Sequence, residues 1–505
     1  MTISNETSPL LPLSPEPPSS SQRQRNRRES FETGFPLVVA EEIDVQTTVY
    51  ELEASKTRPD RVTTFGSPCQ WLGRNCAVPF TLLMSAIGAG TLAVPYTFVL
   101  LSPVQAVLVL CCVGLAMAFT ADTLVDVHIA VATENMGELQ ESRETYQHLA
   151  WRAGGKPLAR LTGALTAFAV FGACVGCVRV VKDMAPVMLS AIITGFEHWT
   201  IEEQQHAVVI AVWAVVLVVV LPLGCLTKIS ALRFSSYFGV AFSVYLVAAV
   251  AYRAITGETK NEASLFWRVS EAVGIYNFTF MLHLNVIPLL AQLVAAETKR
   301  KQEVYDKDVV ACNSAEDSVT LLQNAGRTMR RHLALAVGTC ILLYATFGIC
   351  AVQIYGHRTQ GNILLNLSND RIMAVPRLAI LLTILFSFPL LFHPLRSLVL
   401  EMYAACTSRS DEEEEEHATA PQFVQAIVTV LLLVAQIICA LRVPGLQVVF
   451  SFVGASILLM LCYLFPLIFY VRLRSSHKEM TRLVLLLALA VIAIIFCVAA
   501  TLQLL

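Results

Sequence analysis

Two stretches of this sequence combine residue types that would expose backbone polar groups inside an apolar run. The first is Ser85-Ala86-Ile87-Gly88-Ala89-Gly90-Thr91-Leu92-Ala93-Val94-Pro95. Paired glycines followed by a proline weaken helical hydrogen bonding. Either the helix breaks here, or the glycines form a packing face against a neighbour. A break would leave N–H groups and a half-helix dipole suited to a carboxylate, with freed carbonyls suited to a cation. The second stretch is His283-Leu284-Asn285-Val286-Ile287-Pro288, preceded by Asn277, Thr279 and Phe280. His283 fits either a group that titrates in an acidic compartment or a hydrogen-bonded structural histidine, and His393, just before Pro394, is open to function or packing. Arg179, Lys182 and Asp183 complete the ionisable set within apolar sequence. Arg179 and Asp183 are four apart on one helical face, which predicts a neutralised structural ion pair. Arg396 reads as a snorkelling residue or as one half of an inner-gate pair.

The elements that must position these residues follow from hydrophobicity. Of 505 residues, 55% are hydrophobic and only 15% charged, against roughly a quarter charged in soluble domains. A net charge of -2 supplies no basic field and excludes nucleic-acid binding. Apolar stretches at 78–101, 104–131, 161–193, 208–226, 234–255, 273–295, 333–355, 375–403, 424–441, 446–471 and 483–505 predict an all-α integral membrane protein of about eleven transmembrane helices. The third exceeds one hydrocarbon core, so it projects or tilts. Residues 1–74, rich in Pro, Ser and charge and lacking a cleavable signal peptide, read as a disordered tail, with 75–505 as the membrane domain. Lys and Arg concentrate in that tail, between 299 and 331, and between 472 and 482. This places the N-terminus in the cytosol. The sequon Asn366-Leu367-Ser368 then falls on the opposite face, whereas the one at Asn5 stays cytosolic and unmodified. The acidic run 411–416 reads as a solvated connector.

The 14 cysteines lie mostly in apolar runs, where a thiol packs as a small hydrophobe. Cys174 and Cys177 have no second Cys or His pair at ligand spacing, so no metal site is expected.

The two interrupted spans are the first and the sixth, five apart, which is the pattern of an inverted-repeat transporter with its site near the midplane. Segments 85–96, 278–288, 388–398 and 450–473 resemble conserved segments of the amino acid/auxin permease family, in particular its sodium-coupled neutral amino acid transporter branch. The resemblance implies a leucine-transporter-like fold, with five-helix repeats at 78–255 and 273–471 and an extra helix at 483–505. It implies substrate binding by Ser85, Gly88, Ala89, Gly90, Thr91, Thr279, Phe280, His283 and Asn285, and a coupling cation held by Ser85 and Ser387. Asp183 matches a family acid, and Cys177 replaces a substrate-facing Tyr. Ser85 stands where sodium-coupled members have Asn. The serine keeps an oxygen but lacks the amide carbonyl, which opens H+ coupling or uniport beside Na+.

The expected function is secondary active transport of amino acids by alternating access, coupled to Na+ or H+ and needing no cofactor. The alternative is an amino-acid sensor that signals through its tail. An enzyme is disfavoured by the lack of a triad, metal cluster or phosphate loop in the sequence, and a pore by the lack of repeated filter segments. Expected partners are an amino acid, the bilayer, and a sorting adaptor reading the acidic dileucine spacing of Glu6-Thr7-Ser8-Pro9-Leu10-Leu11. That motif favours a lysosome- or vacuole-like membrane over a plasma membrane default. Arg27-Arg28-Glu29-Ser30 offers a phosphorylation site.

Overall fold

A computed structural model describes residues 78–83, 85–134, 145–224, 264–305, 315–367, 374–407, 422–474 and 479–504. The tail with its sorting, phosphorylation and Asn5 motifs, the acidic run 411–416, Ser368 and the span expected at 234–255 lie outside the described residues.

Among the described residues the structure is all helix and turn, with no strand. Span one is in two pieces, α1 (residues 78–83 and 85–86) and α2 (Val94–Leu100), joined through Ile87, Gly88 and a 3-10 stretch at Ala89–Ala93. There follow α3 (Pro103–Glu134), α4 (Tyr146–Ile192) and α5 (Ile201–Val215), the last continuing through a π turn at Val216–Val220 to Leu221–Gly224. Span six is also in two pieces, α6 (Leu265–Thr279) and α7 (His283–Tyr305). The remainder are α8 (Ala315–Tyr355), α9 (Ala374–Thr407), α10 (Gln422–Arg442), α11 (Leu446–Leu459, extended by a π turn at Met460–Leu464 and by Phe465–Leu473) and α12 (Met480–Leu504). Nine helices among the described residues are long and apolar enough to cross a bilayer. With span one they account for every expected span except that at 234–255.

Two helices differ from expectation in instructive ways. α4 begins at Tyr146, its first turn closed by the Thr145 side chain accepting from the His148 N–H. It kinks at Gly154 and Gly155, where Gly155 takes φ 69°, a left-handed value that glycine tolerates. From 156 to 192 it runs on for roughly 55 Å, well beyond a hydrocarbon core of about 30 Å, so the third span is longer than one core, as expected. α8 begins far ahead of the expected 333, which puts Arg327 and Arg330 on a helix instead of in a loop.

Packing follows from which faces are small or polar. α12 exposes Val484, Leu487, Val491, Ile495 and Val498 at helical spacing, while Leu486, Ala490, Ala493 and Cys497 are buried. That stripe is the lipid-facing side of a helix buried along the other. α6 and α11 cross so closely that a Cβ on Gly274 would lie 2.7 Å from the Ser451 carbonyl, and one on Gly454 would collide with the Gly274 carbonyl. Small residues permit this backbone contact, the usual device of packed membrane helices. Asn277, fully buried, locks the crossing. Its Nδ2 donates to the Gly454 carbonyl at 3.3 Å, and its Oδ1 accepts from the Tyr463 hydroxyl at 2.9 Å.

Candidate functional site

Span one breaks at its glycines. Gly88 is extended (φ −133°, ψ −155°); its N–H donates to the Ala86 carbonyl at 3.0 Å and its carbonyl accepts from the Thr91 N–H at 3.1 Å. The N–H groups of Ala89 and Gly90 have no hydrogen-bond partner among the described residues. Of the two readings left open by sequence, the broken helix is the observed one at Gly88. Span six breaks just after Thr279. The Phe280 N–H still reaches the Tyr276 carbonyl at 2.9 Å, Met281 and Leu282 are non-helical, and the chain turns helical again at His283. The N–H groups of His283 and Leu284 begin α7 without a partner among the described residues, as the first turn of a helix must unless capped.

The two breaks meet. A Cβ on Gly90 would lie 3.1 Å from Phe278 Cδ1 and 3.3 Å from Thr279 Oγ1, whereas one on the exposed Gly88 would meet nothing within 4 Å. An open space therefore adjoins Gly88, beside two sets of uncommitted backbone donors that carry the positive ends of α2 and α7.

Neighbouring helices fix this geometry. Tyr344 of α8 donates its hydroxyl to the Ala86 carbonyl at 2.9 Å, satisfying an acceptor at the end of α1. In α2, the Thr97 hydroxyl donates to the Val94 carbonyl at 2.7 Å and accepts from the Tyr276 hydroxyl of α6 at 2.6 Å. Phe278 stacks on Phe450 of α11 with centroids 4.2 Å apart and rings 14° from parallel. The far side of Phe450 is closed by Gly176 of α4, where a Cβ would lie 2.5 Å from Phe450 Cε1. Gly90, Phe278, Phe450 and Gly176 thus form one row through four helices, with a glycine at each end.

His283 is fully buried, its Nε2 2.8 Å from Thr120 Oγ1 of α3. The Thr120 hydroxyl is also within 3.1 Å of the Ala116 carbonyl and 3.2 Å of that of Met117. Spending its proton on its own helix, Thr120 accepts from His283 Nε2–H, which leaves Nδ1 as an acceptor with no partner in the structure. A structural hydrogen bond is thus present on one ring nitrogen.

The other expected site residues divide into two groups. Thr91 and Asn285 are buried next to the breaks. Phe280, also buried, sits edge-on to Tyr344 at 5.6 Å and 69°. The Thr279 hydroxyl donates to the Ile275 carbonyl and the Ser85 hydroxyl to the Leu82 carbonyl, both at 2.8 Å. These two hydroxyls give their protons to their own helices and keep only oxygen lone pairs to offer, beside the backbone that the breaks expose. Ser387 lies on α9, which packs chiefly against α4, and no hydrogen bond joins it to Ser85.

The Arg179 group is structural, as its spacing predicts. Arg179 pairs with Asp183 at 2.9 Å and donates to the carbonyls of Val443 and Pro444 at 2.8 and 2.9 Å, while Lys182 donates to that of Leu441 at 2.7 Å. Asn362 Nδ2 donates to the other Asp183 oxygen at 3.0 Å. The cluster ties α4 to the turn between α10 and α11. Asn366 is likewise occupied, with Nδ2 donating to the Arg358 carbonyl at 2.6 Å.

Two polar features stand outside the sequence expectations. Asp122 and Asp126 of α3 meet Arg330, Arg474 and Arg482 from α8, the end of α11 and the start of α12. Arg330 and Arg482 each contact both acids, with 2.9 and 3.0 Å to Asp122, and Arg474 reaches Asp126 at 3.5 Å. The available signal was the four-residue spacing of two acids in an apolar run. The second feature is Glu271, buried in α6 beside Tyr96.

Comparison with known proteins places the chain in a family. The family described as transmembrane amino acid transporter protein matches residues 76–309 and 320–504. A Xenopus laevis protein named sodium-coupled neutral amino acid transporter 7 is 24% identical over 80% of this chain and 82% of its own. A Danio rerio sodium-coupled neutral amino acid symporter 2 is 22% identical over 80% and 77%. A Schizosaccharomyces pombe vacuolar amino acid transporter 5 is 24% identical over 59% and 63%. A solved Eremococcus coleocola manganese transporter aligns with 88% of this chain and 96% of its own at 11% identity, but its TM-score of 0.39 is too low to add to the assignment.

Proposed function

This chain belongs to the transmembrane amino acid transporter family, and from that premise we propose that it carries amino acids by alternating access, with the substrate held where the two interrupted helices meet. The observation that carries the reading is the apposition of Gly90 with Phe278 and Thr279. It brings the unpartnered N–H groups of Ala89 and Gly90 near the break that exposes those of His283 and Leu284. Such donors at half-helix N-termini match a substrate carboxylate. Gly88, Thr91, Phe280 and Asn285 line the same junction, and the open space beside Gly88 is where a substrate side chain would go.

The two halves are proposed as inverted repeats, 78–255 and 273–471, with α12 outside them. Each half would contribute one interrupted helix, whose second piece is α2 (Val94–Leu100) in the first and α7 (His283–Tyr305) in the second. Ser85 and Ser387 would have to approach each other to hold a cation, with H+ as the competing coupling ion. The protein is a multi-pass membrane protein. The end bearing Arg330, Arg474 and Arg482 is proposed to face the cytosol with the tail, and the address to be a vacuole- or lysosome-like membrane if an adaptor reads Glu6 to Leu11.

The test is uptake of a labelled amino-acid panel into proteoliposomes, with and without Na+ and pH gradients, beside Gly90→Leu. Saturable uptake that the variant lacks is expected. Folded wild-type protein that moves no amino acid under any gradient would sink the reading.

A further inference from the structure

Glu271 is an acid that neither the ion-pair clusters nor the substrate junction accounts for. It is 9% exposed and forms no ion pair among the described residues. Every other acid placed above inside the bundle is matched. Asp183, at 7% exposure, has Arg179, and Asp122 and Asp126 share three arginines. Around Glu271, α2 contributes the Tyr96 hydroxyl, and α11 contributes Ser451, which donates to the Glu271 backbone carbonyl at 3.4 Å. Arg268, three residues earlier on α6, forms no pair with it. No charged side chain of α3, α11 or α12 acts on it.

Its position is as informative as its isolation. Glu271 lies seven residues before Phe278, about 10 Å along α6 from the junction of the breaks. Tyr96 lies in the half of span one beyond its break, and the adjacent Thr97 joins Tyr276 at 2.6 Å. Glu271 with Tyr96 and Tyr276 with Thr97 therefore form the seam between α2 and α6. Opening that seam would admit water to one side of the junction.

Building on the transport reading, we propose that Glu271 is the proton-binding residue that couples this transporter to an H+ gradient. An ionised carboxylate buried without a counter-charge is far costlier than a neutral carboxylic acid in the same place. The closed seam and the bound proton thus stabilise each other. With the seam open and hydrated, the carboxylate takes one proton from the aqueous phase and becomes a carboxylic acid. The seam closes over it with substrate at the junction, and the same proton leaves when the group is rehydrated after access changes. No other reactant is needed.

The experiment compares wild type with Glu271→Gln and Tyr96→Phe in proteoliposomes. It reads accumulation driven by a pH gradient and, separately, counterflow exchange without a gradient. Glu271→Gln is expected to lose at least tenfold in gradient-driven accumulation, while its counterflow stays within about twofold of wild type and loses its pH dependence. Tyr96→Phe is expected to keep both fluxes and to shift the pH dependence of accumulation. Unchanged gradient-driven accumulation in Glu271→Gln, or accumulation driven by Na+ alone, would overturn the proposal. If Glu271→Gln does not fold, an infrared titration of the wild type in membranes decides, with Tyr96→Phe assigning the band. A protonated-carboxyl band that moves in Tyr96→Phe supports the site, and its absence overturns it. Where wild type shows that band but carries no amino acid, the transport reading falls and the proton site stands.

Discussion

Gly90→Ala isolates the meeting of the two breaks with a single methyl group. The new Cβ would lie 3.1 Å from Phe278 Cδ1 and 3.3 Å from Thr279 Oγ1, inside the 3.4 Å at which ordinary contact begins. Phe278 has little room to withdraw. Phe450 stacks behind it at 4.2 Å, and Phe450 is in turn held against Gly176. Overpacking of this kind costs about 1–3 kcal/mol. Borne by the state in which the breaks are apposed, it becomes a loss of roughly 5- to 150-fold in uptake rate, at about 1.4 kcal/mol per tenfold. The assay is the initial rate in proteoliposomes together with the thermal midpoint of the purified protein. Phe278→Leu should relieve the clash, giving a coupling of about 0.5–3 kcal/mol in a double-mutant cycle. Gly88→Ala is the control, because its methyl enters open space and its negative φ suits any residue. It should leave the midpoint unchanged and discriminate against bulky substrates. Wild-type rate and midpoint in Gly90→Ala, or strict additivity with Phe278→Leu, would refute the packed row.

Three further substitutions probe the supports. Thr120→Val leaves the His283 Nε2–H buried and unpaired, an expected loss of about 1–3 kcal/mol in denaturant or thermal unfolding. Thr120→Ser should recover it, and equal midpoints for the two variants would remove the inferred hydrogen bond. Tyr344→Phe withdraws the hydroxyl from the Ala86 carbonyl and should cost about 0.5–1.5 kcal/mol, seen as a several-fold slower uptake; an unchanged rate would show that α1 needs no such anchor. Arg179→Met strands Asp183 in the interior at a cost of about 3–5 kcal/mol. The double variant with Asp183→Asn should regain part of that in thermal unfolding, though not the bonds to Val443 and Pro444; no difference between single and double variant would mean the pair is not the source of the loss.

The sequence made the breaks legible because their causes are local. Gly88, Gly90 and Pro95 weaken one helix, and the second interruption falls just before a histidine-to-proline stretch five spans later. The Arg179 and Asp183 pair was legible for the same reason, since four residues on one helix set their distance. What sequence could not supply was register between helices. Phe278, one residue before α6 ends at its break, gives no sign that it stacks on Phe450, 172 positions later. Asp122 and Asp126 find their arginines on three other elements, at positions that all read as loops from hydropathy alone. Glu271 falls two residues ahead of the span expected at 273–295, and nothing in the sequence singles it out. Only the placement of α2 shows that it lies beside Tyr96.

The same contacts constrain how access could alternate. α6 cannot slide past α11, because Gly274 and Gly454 bring backbone against backbone and Asn277 hydrogen-bonds the crossing. The Asn277 Nδ2 also reaches Cys497 Sγ at 3.4 Å, so α12 is held to the same unit. Packed interfaces of this kind are bistable at best and do not deform continuously. The first half of span six therefore moves, if it moves, together with α11 and α12. α2 meets that unit through two side-chain pairs, Tyr276 with Thr97 and Glu271 with Tyr96. Such a seam can open at the cost of a few hydrogen bonds that water replaces. At the opposite end, two aspartates on α3 are clasped by Arg482 from the α12 unit and by Arg330 from α8. Opening there must separate three arginines from two acids. One end of the bundle is thus held by charge, and under the proposed coupling the other is held by a seam whose strength depends on a proton, an asymmetry by which an H+ gradient would act on one closure without weakening the other.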